Sequence, residues 1–179
     1  MQVIKLTVYN KSMPKRSIIL IAHNIRSTHN VGAIFRSCEG FGVTKLYLTG
    51  YSPYPMQKND DRLPHIIDKL TKQISKTALG AEKQLAFSHH ENLSKLLASL
   101  SADGYEIAGL EQDENSTPLP EFKPPAKLAL IIGEEVSGLT PEIRAQCQVL
   151  LEIPMFGRKE SFNVSVATGI ALYGLTTAT

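Results

Sequence analysis

"EIPMFGRKESFNVSVATGIALYGL", Glu152–Leu175, runs from a short apolar stretch through a Gly-containing basic loop into the opening of an apolar helix. An Arg, a Lys, a Ser and an Asn crowd the approach to that helix. Ser161 and Asn163 both suit N-capping, since a side-chain oxygen accepts from the free amides of a first helical turn. The same groups, placed at the end of a strand, also suit a ligand. The choice between these readings depends on what precedes the stretch.

Upstream, strands alternate with helices. "SIILIA", Ser17–Ala22, is a continuous apolar run of the kind buried on both faces of a parallel sheet. "HNVGAIFRSCEGFG" follows, with Val31, Ile34, Phe35 and Cys38 on one helical stripe and Gly40 or Gly42 as terminator. "KLYLTG", Lys45–Gly50, is the next strand, and "YSPYPMQKNDDRLP" a turn-rich polar loop. Ile66, Ile67, Leu70 and Ile74 recur at helical spacing. "KQLAFSHH" reads as a short strand. Leu93, Leu96, Leu97 and Leu100 follow the i, i+3, i+4, i+7 template of an amphipathic helix. "YEIAGLE" and "KLALIIG" are strands separated by the Pro-rich loop "NSTPLPEFKPP". Thr140-Pro141 forms a cap-plus-N1 pair. "VLLEIP" is the last strand and Asn163–Leu175 the last helix. This order predicts an α/β single domain with a mainly parallel sheet over 17–179, preceded by a short basic N-terminal extension, 1–16.

The 179 residues suffice for one core, with 42% hydrophobic and 20% charged residues. There are two cysteines, Cys38 and Cys147, and neither a disulfide framework nor a metal-ligand pattern. No apolar run reaches membrane-spanning length and the N-terminal stretch lacks a secretion-signal core, so the expectation is a soluble, cytoplasmic protein without a metal. The net charge of +2 hides an asymmetry. No acid precedes Glu39, whereas Lys5, Lys11, Lys15, Arg16, Arg26 and Arg36 do. Leu96–Phe122 has no base and carries Asp103, Glu106, Glu111, Asp113, Glu114 and Glu121. A basic end attracts polyanions such as RNA, although charged surfaces are also simply solvated.

Ligands of open parallel sheets sit beyond the carboxyl ends of the strands. Three loops leave strand ends there: "NIRSTHNVGAIFR", "GEEVSGL" and "PMFGRKESFN". No G-x-G-x-x-G, P-loop or G-x-S-x-G elbow occurs, which argues against dinucleotide enzymes, P-loop NTPases and α/β-hydrolases. Asn30 reads as an N-cap. Gly32 is costly inside a helix, by about 1 kcal/mol against Ala, and implies a close approach to the backbone. Arg36 on its own would be a surface arginine. Gly133 and Gly138 bracket Glu135 in what could be a plain strand-to-helix turn.

Taken together, "NVGAIFR" (Asn30–Arg36), "GEEVSGL" (Gly133–Leu139) and "IPMFGRKESFNVSVATGIALY" (Ile153–Tyr173) resemble, in order, the three motifs of the SpoU (TrmH-type) RNA ribose 2′-O-methyltransferases of the SPOUT superfamily. Phe162 stands where that family usually has leucine. The resemblance implies a deep C-terminal trefoil knot, which no periodicity could reveal. It also implies S-adenosyl-L-methionine as cofactor, a homodimer, and an RNA substrate. "GYEIAGLEQ" (Gly104–Gln112) resembles the tRNA branch, so tRNA is favoured, with rRNA possible.

By position, the resemblance implies Arg36, Asn30, Ser161, Asn163 and Glu135 as catalytic residues. It implies Leu110, Gly133, Ile153, Met155, Ser161 and Phe162 around the cofactor, and Arg26, Arg36, Arg158 and Lys159 toward RNA. A guanidinium is always protonated and makes a poor base. Arg36 is therefore expected to clamp the phosphate beside the target ribose, with Asn30 holding Arg36 and Glu135 orienting an arginine or the interface. Two alternatives stay open: a non-catalytic RNA-binding protein of the same fold, and an unrelated nucleotide-binding α/β enzyme. The intact Asn30, Arg36 and Asn163 favour the enzyme over the first. The missing phosphate fingerprint disfavours the second.

Overall fold

Every strand pairing in the sheet is parallel. A computed structural model describes residues 16–178. The lysines expected in the basic N-terminal extension, Lys5, Lys11 and Lys15, lie outside the described residues. The strands are β1 Ser17–His23, β2 Lys45–Thr49, β3 Phe87–His90, β4 Glu106–Leu110, β5 Thr117–Pro118, β6 Lys127–Ile132 and β7 Val149–Glu152, in the order β3-β2-β1-β6-β4-β7-β5. β6 thus enters between β1 and β4, and β7 between β4 and β5.

The apolar runs split across the sheet by strand alternation. Leu20, Ala22, Leu128, Leu130 and Ile132 face one layer, made by helices α1 (Thr28–Gly40), α2 (Pro64–Ala78) and α5 (Val164–Thr177). Ile19, Ile21, Ala129 and Ile131 face the other, made by α3 (Leu93–Ala102) and the single turn α4 (Pro141–Arg144). Burial on both faces is why β1 and β6 read as unbroken apolar runs. Among the described residues no helix is long and apolar enough to cross a membrane.

Two local features depart from expectation. The Pro-rich loop contains the two-residue strand β5, which pairs only with β7 at the sheet edge. Proline lacks the donor a central strand needs but is tolerated at an edge, so composition alone concealed it. The second concerns the first helix. It begins at Thr28, and Ser27 is its cap, accepting from the Asn30 amide. Asn30 is therefore not the N-cap, and its side chain is free for other partners.

Candidate functional site

The loops after β1, β2, β6 and β7 meet at the carboxyl edge of the sheet. Ser52 ties the first two together from a buried position, donating to the Ala22 carbonyl (2.9 Å) and accepting from the Ile25 amide (2.8 Å). The loop after β6 folds tightly on itself: the Gly138 amide donates to the Glu134 carbonyl at 3.0 Å. Gly138 has φ +64°, and a Cβ on Gly133 would run into the Gly138 carbonyl, so both positions require glycine. The carboxylate of Glu111, just past β4, fixes this turn from outside by accepting from the amides of Leu139 (2.6 Å) and Gln112 (3.1 Å). The loop after β7 ends at Asn163, whose side chain caps α5 by accepting from the Ser165 amide at 2.9 Å.

Consecutive glutamates on the β6 loop reach in different directions. Glu135 accepts from Asn30 Nδ2 (3.0 Å) and from the Arg26 amide (3.3 Å). Asn30 in turn accepts from Asn163 Nδ2 at 3.3 Å. Burial works against the Glu135 carboxylate, but the hydrogen bonds from Asn30 and from backbone amides outweigh it and hold its pKa below the ordinary value. Glu134 accepts through one oxygen from Tyr51 OH and Arg26 Nη2, each at 2.7 Å, and through the other from Ser137. The donors Ser137, Tyr51 and Arg26 bring its pKa down to about 2.

Beside this network opens a cavity of about 320 Å³. Leu110, Ile132, Ile153, Met155 and Phe162 give it apolar walls. Gly133, Gly138 and Ser161 bring backbone and a hydroxyl to its edge, and Glu111, Glu134 and Glu135 stand at its mouth. Gln112, Glu152 and Glu160 complete a lining that mixes apolar and polar residues about equally, and apolar walls with convergent polar groups are the usual form of a small-molecule pocket. Its apolar faces suit a flat heterocycle, and the backbone of Gly133 and Gly138, which line it, suits that ring's polar edge.

The sequence profile described as the "SpoU rRNA Methylase family" matches residues 17–173. The chain belongs to the SpoU rRNA methylase family. It is 33% identical over 158 residues to the 23S rRNA (guanosine-2′-O-)-methyltransferase RlmB of Xylella fastidiosa, covering 88% of this chain and 57% of that protein. It is 30% identical over 159 residues to the tRNA (guanosine(18)-2′-O)-methyltransferase of Aquifex aeolicus, covering 89% and 68%. The crystal structure of the SpoU methyltransferase AviRb from Streptomyces viridochromogenes, a complex with AdoMet, shares the fold with a TM-score of 0.74 at 20% identity, covering 90% of this chain and 57% of that one. Several of the curated relatives are considerably longer: the chain spans 57–59% of those from Staphylococcus saprophyticus, Acinetobacter baylyi and Xylella fastidiosa.

Placed on this SpoU fold, all of Leu110, Gly133, Ile153, Met155, Ser161 and Phe162 line the one cavity. Asn30, Glu135 and Asn163 form a hydrogen-bonded chain. The Asn30 side chain is engaged with Glu135 and Asn163 rather than with Arg36. Arg36 lies exposed on α1, with no hydrogen-bond partner among the described residues. Capping of α5 falls to Asn163, leaving the Ser161 hydroxyl at the cavity. Gly32 does meet a close approach, but from protein: a Cβ there would strike the Thr77 hydroxyl and the Ile74 carbonyl of α2. Arg158 and Lys159 are exposed on the β7–α5 loop, and Arg26 is paired with Glu134. Sequence reasoning missed Glu111, Glu134 and Tyr51. Only the position of Glu111, directly after an apolar strand, gave any signal.

Proposed function

We propose that this chain is an S-adenosyl-L-methionine-dependent RNA methyltransferase acting on a ribose 2′-hydroxyl. The observation that carries this reading is the cavity. Residues from the loops after β4, β6 and β7, distant in sequence, line it together, directly beside the Asn30–Glu135–Asn163 chain. The 2′-O-methyltransferase names of relatives at 30–33% identity and the AdoMet in the AviRb crystal support it.

When bound, S-adenosyl-L-methionine supplies a methyl group already activated on a sulfonium. The protein's share is then positioning and proton management. Leu110, Ile153, Met155 and Phe162 offer apolar contact and keep water out. Gly133 and Ser161 offer backbone and hydroxyl partners. Arg36, whose guanidinium offers only donors, holds the phosphate next to the target ribose and leaves the proton to that phosphate or to water. Asn30, Glu135 and Asn163 keep the motif loops in register around the reacting groups. Arg26, Arg158 and Lys159 extend the cationic surface along the RNA backbone, and the 2′-hydroxyl itself separates RNA from DNA.

Finer parts of the reading have their own support. A tRNA substrate is favoured by the likeness of Gly104–Gln112 to the tRNA branch, with rRNA the alternative. A homodimer fits the exposed apolar side chains Phe156, Phe162, Val166 and Tyr173 on the last loop and helix. A trefoil knot fits the entry of β6 and β7 between other strands. A cytoplasmic location fits an RNA-modifying role. The domain is taken as 17–179, with 1–16 an extension.

The test is transfer of labelled methyl from S-adenosyl-L-methionine to unmodified tRNA and, separately, to rRNA. Transfer to one of them supports the enzyme and identifies the RNA class. Cofactor binding without transfer to either would favour the second reading, a non-catalytic RNA-binding member of the fold.

A further inference from the structure

Arg26 and Tyr51 lie outside both the cavity lining and the Asn30–Glu135–Asn163 chain, yet both aim at one carboxylate oxygen. Arg26 Nη2 and Tyr51 OH each donate to Glu134 Oε1 at 2.7 Å. A guanidinium nitrogen and a hydroxyl converging on one anionic oxygen is also the way proteins hold a phosphate oxygen. Core packing does not require this arrangement. The Arg26 side chain is 72% exposed, and an exposed ion pair of this kind contributes little to stability. It therefore opens at little cost.

Its location gives the arrangement a use. Arg26 leaves the end of β1, Tyr51 the end of β2 and Glu134 the end of β6, and these three strands are neighbours in the sheet. The Arg26 guanidinium contacts Glu134 and its backbone amide donates to Glu135, and both glutamates line the cavity, so Arg26 stands beside the cavity's edge. A strand entering the site would pass these donors.

Resting on the RNA-methyltransferase reading above, we propose that Arg26 and the Tyr51 hydroxyl form a phosphate-binding site for the RNA strand at the cavity mouth, and that Glu134 fills it in the RNA-free protein. When RNA binds, a phosphate oxygen takes the position of Glu134 Oε1 and the displaced carboxylate turns to solvent, keeping its contact with Ser137. Glu134 is then an internal competitor, which disfavours polyanions that do not supply a phosphate at that point.

The experiment compares RNA binding by wild type, Glu134→Ala, Glu160→Ala, Glu134→Ala/Tyr51→Phe and Glu134→Ala/Arg26→Ala. Fluorescence anisotropy is read over a range of salt with an unmodified tRNA transcript and a 23S rRNA fragment. Calorimetry with S-adenosyl-L-methionine checks that the β6 loop is intact. Glu160 lines the same cavity and pairs with neither donor, so it controls for loss of one negative charge. Glu134→Ala is expected to tighten RNA binding by about three- to tenfold, the scale of one or two freed hydrogen bonds, and Glu160→Ala to tighten it clearly less. Adding Tyr51→Phe or Arg26→Ala should take that gain back, and Arg26→Ala should also flatten the salt slope by about 0.7. Unchanged or weaker binding by Glu134→Ala overturns the site, as do equal gains for the two alanine variants. So does a Tyr51→Phe addition without effect. If wild type still transfers methyl to RNA, such a result removes this site alone. If no variant binds RNA and wild type transfers nothing, the underlying reading falls with it.

Discussion

Asn30 and Asn163, separated by 133 positions in the chain, meet side chain to side chain, Asn163 Nδ2 donating to Asn30 Oδ1 at 3.3 Å. Each has a second task. Asn163 caps α5 through its own Oδ1, and Asn30 donates to Glu135. Two amides thus join the loops after β1, β6 and β7, and an amide is the side chain that can donate and accept at once.

Asn30→Asp is expected to be worse than Asn30→Ala. The aspartate still accepts from Asn163 but cannot donate to Glu135 and sets a like charge beside it, whereas alanine deletes both bonds without adding a charge. Turnover should fall at least about tenfold for the alanine variant and further for the aspartate, because a like charge facing Glu135 outweighs the one contact that aspartate retains. Equal rates for the two, measured as initial velocities of methyl transfer, would remove the Asn30–Glu135 bond from the account.

Asn163→Ala removes the cap of the last helix. A lost N-cap costs about 1 kcal/mol, which for a chain of this size lowers Tm by about 2–4 °C. Thermal unfolding followed by circular dichroism checks this. Asn163→Ser, which keeps a capping oxygen, should restore most of the Tm but not the contact with Asn30.

Gly32→Ala sets helix propensity against packing. Propensity alone favours alanine by about 1 kcal/mol. The new methyl would strike the Thr77 hydroxyl, which can turn away, and the Ile74 carbonyl, which belongs to the backbone of α2 and cannot. Packing should prevail, with a net destabilisation of about 1–3 kcal/mol in urea unfolding. A stabilised variant would mean that α1 and α2 are not in this contact.

Glu134 gives a pH signature. Its folded-state pKa lies below its unfolded value, at about 2 against 4.5. Whatever its contacts contribute to stability is therefore fully present above pH 4.5, declines as the pH falls from there, and is gone below about 2. An NMR titration of the Glu134 carboxyl carbon should show no transition between pH 4 and 7. A midpoint near 4.5, the value of an unpaired glutamate, would show that Arg26, Tyr51 and Ser137 do not hold it.

Much of this was legible in the sequence, for identifiable reasons. β1 and β6 declared themselves because burial on two faces leaves no room for polar residues, and α3 because its leucines keep helical spacing. The cavity residues were legible through motif position: Gly133 must be glycine for its loop to close, and the run Ile153–Phe162 follows a strand end. Partnerships were not legible. Ser27 and Asn30 are both competent caps three positions apart, and only the helix start decides between them. Gly32 signalled a close approach without revealing that α2 makes it. Glu134 and Glu135 are adjacent and chemically identical, and their different partners follow from loop folding that no local pattern encodes. β5 hid in a proline-rich loop because its pairing comes entirely from β7.

The most direct test of the central claim is the identity of the modified nucleoside. RNA incubated with wild type or Arg36→Ala and S-adenosyl-L-methionine would be digested to nucleosides and analysed by mass spectrometry. The expected result is a 2′-O-methyl nucleoside made by wild type and absent with Arg36→Ala, with cofactor binding by the variant unchanged. A methyl group found on a base, or a 2′-O-methyl nucleoside made equally by Arg36→Ala, would contradict it.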